Sequence, residues 1–167
     1  MKNEASFQKL TGQQRSALFK GAVRLTFGPG DVIIRQGETQ DSIYVMDSGQ
    51  VRVERRLRVR AKYMIEDGEL RVQRSTGPQD ETYTNVEIAR LGEGSVFGEM
   101  SYLDPLPVSA NVIAEGEVAV LRIDAKTIDR LMKEDPAFAA AFYHSLATTL
   151  ARRLRVTSSR AAGRFVP

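Results

Sequence analysis

The chain contains no cysteine and no tryptophan, and His144 is its single histidine. Without cysteine, disulfides, thiolate metal sites and cysteine nucleophiles are excluded. With one imidazole, neither a Ser-His-Asp set nor a metal constellation assembles, so no catalytic and no metal-binding residues are expected. No apolar run approaches the roughly 20 residues of a membrane span. The opening Met1, Lys2, Asn3 and Glu4 show no signal-peptide core, and the lack of cysteine favours a cytoplasmic location. Residues 152–167 hold five of the 24 basic side chains and no acid. The remainder carries 19 bases against 21 acids, so the excess positive charge belongs to the tail and not to the globular body.

What is present describes an ordinary globular domain. The 167 residues suit a single core, and the 42% hydrophobic and 27% charged fractions are those of a folded chain. Residues 6–22 predict one or two short helices with Phe7, Leu10, Leu18 and Phe19 as apolar positions. From Val23 the texture changes to short β-branched runs divided by glycine turns: VRLTF, DVIIRQ, SIYVMD and VRVERR. Strands at such close, regular spacing predict an all-β roll, sandwich or barrel and not βαβ units.

The period-two pattern is clearest from Val51 onward. Val51, Val53, Leu57, Val59, Ala61, Tyr63 and Ile65 alternate with charged residues, which predicts a strand with one dry face, interrupted only by Arg55. Asp67-Gly68 suits a two-residue type I′ turn, and that turn would set Ile65 opposite Leu70 and Tyr63 opposite Val72. The extended hairpin over about 55–85 presents Arg56, Arg58, Arg60 and Lys62 as a basic ladder. Such a ladder protects an edge or docks an acidic protein partner. Strands are also expected at 86–91 and 117–123. Asp124 is placed to cap a helix over 125–134, and Pro136 separates it from a last helix carrying Phe138, Phe142, Leu146, Leu150 and Leu154.

Two blocks resemble the cyclic-nucleotide-binding domain family, the β-roll of catabolite activator protein and protein kinase regulatory subunits. The first is Gly30-Asp31, Gly37-Glu38, Asp41, Tyr44, Gly49 and Val51. The second is Gly92-Glu93-Gly94, Phe97-Gly98-Glu99-Met100, Leu103, Pro107 and Ala110, which is similar to the family's phosphate-binding cassette. The resemblance implies a mainly β fold with flanking helices: an antiparallel β-roll of the jelly-roll type between short N-terminal helices and a long C-terminal helix. It implies an N-terminal helical segment 1–22, a roll 23–123, C-terminal helices 124–157 and a basic tail or linker 158–167. The ligand it implies is a cyclic nucleotide, at Gly98, Glu99, Met100, Val108, Ser109 and Ala110, with no other cofactor. Glycine at 98 lets backbone approach a phosphate, and the Glu99 carboxylate suits a ribose hydroxyl. Phe97, Met100 and Leu103 are expected in the core.

One departure bears on the ligand. In the family an arginine normally follows the cassette proline, whereas Val108 follows Pro107 here, and valine offers a phosphate nothing polar. Three readings stay open: a regulatory domain that moves its C-terminal helices when the cassette is occupied, a ligand-free protein-interaction module, and a sensor of another phosphate-rich ligand such as a cyclic dinucleotide. A homodimer through the helix 138–154 is expected. A DNA-binding domain is not, since nothing after the long helix reads as helix-turn-helix.

Overall fold

The computed structural model describes residues 7–59, 61–66, 69–74 and 82–162. The Asp67-Gly68 turn, Arg60, residues 75–81 and both chain ends lie outside the described residues.

Helix α1 (Gly12–Lys20) starts where Thr11 and Gln14 form a reciprocal capping box. Four short strands follow: β1 (Val23–Phe27), β2 (Val32–Ile34), β3 (Ser42–Ser48) and β4 (Val51–Val59). Then come β5 (Ala61–Glu66), β6 (Glu69–Arg74), β7 (Thr82–Leu91) and β8 (Val96–Phe97). A one-turn helix α2 (Glu99–Leu103) separates these from β9 (Asn111–Ala114) and β10 (Val118–Asp124). The chain closes with α3 (Ala125–Glu134) and the 27-residue α4 (Pro136–Ala162).

The strands form two antiparallel four-stranded sheets, ordered β1-β10-β3-β8 and β2-β9-β4-β7, and a separate β5-β6 pair. The β-roll with flanking helices is therefore the fold. In β3, alternation sends Ile43 and Val45 to one core cluster and Met46 to another. The second cluster, with Ile34, Met46, Val51, Phe97, Val112 and Val120, draws its residues from both sheets and fills the roll. The first joins Ile43, Val45 and Ile123 to Leu18, Ile128, Phe138, Phe142 and Leu146, so the helices are seated on the β1-β10-β3-β8 sheet. Each of these fully buried large apolar side chains contributes about 1.5–3 kcal/mol.

Asp124 caps α3 by accepting the Thr127 N–H at 2.7 Å, and that bond holds its carboxyl below the usual carboxylate range. β5 and β6 pair antiparallel in the expected register, with Ile65 partnering Leu70 and Tyr63 partnering Val72 along the backbone.

Three expectations need correction. The dry face of β4 ends at Val53, and the side chains from Arg55 to Arg58 are exposed, Leu57 among them. The cause is local: the β4-β7 register shifts between Val53 and Glu54, and β9 pairs with β4 only as far as Glu54. Beyond that point the strand has no β9 neighbour to complete a covered face. Met100 and Leu103, expected in the core, are 58% and 39% exposed. A single helical turn can bury only one side, and α2 buries Glu99 and half-buries Tyr102 instead. The apolar stripe of α4 is also only half a core element. Phe138, Phe142 and Leu146 are buried, Leu150 is half-buried and Leu154 is 67% exposed.

Candidate ligand-binding site

The segment between β8 and β9 is held at both ends by its own backbone chemistry. Gly98 adopts φ +79 as the N-cap of α2. A Cβ there would lie 2.9 Å from the Ser42 carbonyl oxygen, so both conformation and space require glycine. Gln40 Nε2 donates to the Gly98 carbonyl at 3.0 Å. At the far end, Val108 N–H donates to the Glu38 carbonyl and the Val108 carbonyl accepts the Gly37 N–H, at 2.9 and 2.8 Å. Those two bonds sew the segment to the turn after β2. The Ser109 and Ala110 amides take part in none of these turn bonds.

Beneath this segment lies a cavity of about 620 Å³. Gly98, Glu99, Met100, Val108, Ser109 and Ala110, the residues singled out from sequence, all line it. Ile34, Val53, Phe97 and Val112 from the roll form its floor, and Val108 packs with them at the edge of the inner core. Ile88 to Leu91 of β7 supply one side, and Arg152, Arg153, Val156 and Thr157 of α4 supply the opposite wall.

The Glu99 carboxylate, 4% exposed, accepts from Arg153 Nη1 at 2.6 Å. Arg153 Nη2 donates to the Val96 carbonyl as well, so one guanidinium joins α4 to strand β8 and to the start of α2. A second link leaves the other side of α2: the Tyr102 hydroxyl donates to Asp129 of α3 at 3.0 Å. Burial, and then that hydrogen bond, push the Tyr102 hydroxyl well above the ordinary tyrosine range. Its ring also meets Phe142 of α4 edge-on, with centroids 6.2 Å apart.

Arg153 and Tyr102 were not among the residues named from sequence. Arg153 sits in a basic cluster that reads as a solvated helix end, and Tyr102 in a segment without periodicity. Among the described residues, no group of acidic or histidine side chains could hold a metal ion, and no helix is long and apolar enough to cross a membrane.

Comparison with known proteins agrees with this arrangement. A family model described as the cyclic nucleotide-binding domain matches residues 58–135. The chain is 29% identical over 155 residues to a cyclic AMP receptor protein of Thermus thermophilus, covering 93% of this chain and 59% of that protein. It is 25% identical over 134 residues to a cAMP-dependent protein kinase regulatory subunit of Dictyostelium discoideum, covering 80% of this chain and 34% of the relative. In fold it is similar to a cyclic nucleotide-binding domain from Methylobacillus flagellatus. The TM-score there is 0.72 at 18% identity, over 95% of this chain and 76% of the other. The chain thus spans between a third and three fifths of the two curated relatives. Roll, cassette and helices together make the chain similar to the cyclic nucleotide-binding domain family.

Proposed function

We propose that this chain is a regulatory, non-enzymatic domain in which occupancy of the cassette cavity sets the position of α4. The carrying observation is the ion pair between Glu99 in the cassette and Arg153 on α4, formed in the wall of the cavity itself. An occupant that spans the cavity touches α2 and α4 together, so its affinity depends on where α4 stands. By linkage, occupancy then biases the helix. Tyr102, bonded to Asp129 and packed on Phe142, carries the same movement to α3 and the root of α4. Residues 23–123 act as the receptor and 124–157 as the responding element, with the Ser109 and Ala110 amides and Glu99 as the polar contacts for a bound group. A cavity of this size favours a ligand-responsive domain over a bare interaction scaffold.

The family's usual ligands should bind poorly. Losing a charged partner to a phosphate costs about 2–5 kcal/mol, roughly a 30- to several-thousand-fold weakening. Cyclic AMP is therefore expected to bind in the high-micromolar range or worse. Hydrogen exchange with millimolar cyclic AMP tests the coupling. Protection should change at 97–110 and, in concert, at 130–140 and 150–157, and Arg153→Gln should abolish the last response. A change confined to 97–110 overturns the proposal.

A further inference from the structure

The cavity keeps an apolar patch apart from its charged side chains. Its roll-side floor, Ile34, Val53, Phe97, Val108 and Val112, offers no charged or hydrogen-bonding side chain. A phosphate pressed against that floor would be desolvated without a counter-charge. Cations line the cavity elsewhere: Arg152 and Arg153 on α4, and Arg55 of β4 and Arg90 of β7 on the roll. Arg153 spends two of its donors on Glu99 and Val96, but a guanidinium has five N–H groups in all. Arg152, exposed beside it on the same wall, has no ion pair among the described residues. Arg90, on the β7 side, is already held by Glu87 and Glu115. Val156, a turn further along α4, adds apolar surface next to the arginines.

We propose that the cavity takes an amphipathic organic anion, with an aromatic or acyl body on the floor around Val108 and a carboxylate-type group directed to Arg152 and Arg153. This rests on the reading of the cavity as the ligand site and names the ligand's chemical class. Such an occupant leaves the Glu99–Arg153 pair intact and adds a second tie between roll and helix, so it holds α4 closed. The volume of about 620 Å³ lies within the range of about 300–1,000 Å³ that accepts small organic ligands.

The test is calorimetry on the full chain with 2-naphthoate, decanoate, the uncharged 2-naphthyl methanol, and cyclic AMP. Naphthoate or decanoate should bind one per chain, and the uncharged analogue about tenfold more weakly or worse. Arg152→Gln should weaken the anions by about tenfold; it removes an unpaired surface cation, so folding is unaffected. Val108→Arg should exchange the preferences, weakening naphthoate and strengthening cyclic AMP. Equal binding of the uncharged analogue, or indifference to Arg152→Gln, overturns the inference. Cyclic AMP binding more tightly than every anion also overturns it, while leaving the ligand-site reading in place. Silence from the whole panel overturns both.

Discussion

Replacing Arg153 by methionine keeps an unbranched apolar stem and removes the guanidinium. Glu99 would then lose its partner while its side chain remains 4% exposed. Removing one member of a buried pair costs about 3–5 kcal/mol. Arg153, however, is 34% exposed, so solvent already screens part of the attraction and water can enter beside the carboxylate. The expected loss is therefore about 2–3 kcal/mol. For a chain of this size each kcal/mol moves the Tm by about 2–4 °C, which gives a fall of about 4–12 °C. Glu99→Gln and the double substitution complete a cycle whose coupling energy should be about 1.5–3 kcal/mol. Urea unfolding followed by far-UV circular dichroism reads the global term. Amide exchange at 148–157 reads the case in which only the end of α4 is released. A coupling within about 0.5 kcal/mol of zero, with unchanged exchange there, would refute the claim that this pair fastens α4 to the cassette.

Gly98→Ala should lower the urea midpoint by the equivalent of about 1–3 kcal/mol, since it strains a positive φ and drives a Cβ at the Ser42 carbonyl; an unchanged midpoint would refute the packing. Tyr102 has its ionisation raised above the ordinary value of 10, so the folded state binds the phenolic proton more tightly than the unfolded state. Its contribution to stability is complete below that pH and is lost as pH rises through the raised value. Tyr102→Phe should flatten the alkaline decline in an unfolding-versus-pH series; an unaltered slope would show that the tyrosine is not responsible. Self-association through α4 is expected to use its outer face, because Phe138, Phe142 and Leu146 are already in the chain's own core. Leu154→Glu should convert a light-scattering dimer to monomer with no loss of stability; a wild-type monomer mass at high concentration would remove the dimer.

Much of the roll could be read before any coordinates, because its turns and alternations are local. The β5-β6 register follows from Asp67-Gly68 and the apolar positions around it, and α3 begins where Asp124 caps it. β8 and β9 did not announce themselves: two and four residues are too few to show a period. Met100 and Leu103 were misplaced because hydrophobicity alone does not say which side a single turn buries. The α4 stripe misled for a geometric reason. Residues four apart advance about 40° around a helix, so Leu154 has turned by about 160° from Phe138. Arg153 lies only about 60° from Phe138, and Val156 directly in line with it. The same arithmetic, applied to the sequence, would have aimed an arginine at the cassette.

The length of α4 makes its root more consequential than its tip. Asp135, extended between the last two helices, accepts the Ala137 N–H at 2.9 Å and the Gln14 side chain at 2.8 Å, so the pivot is anchored to α1. From Pro136 to Arg153 the axis rises about 25 Å, and a tilt of about 10° sweeps the guanidinium through about 4 Å. That sweep exceeds the whole reach of a 2.6 Å charged hydrogen bond. Under the proposed coupling, the helix would act as a lever whose far end reports a tilt too small to disturb the packing at its base, with the Glu99–Arg153 contact as a detent, either engaged or released.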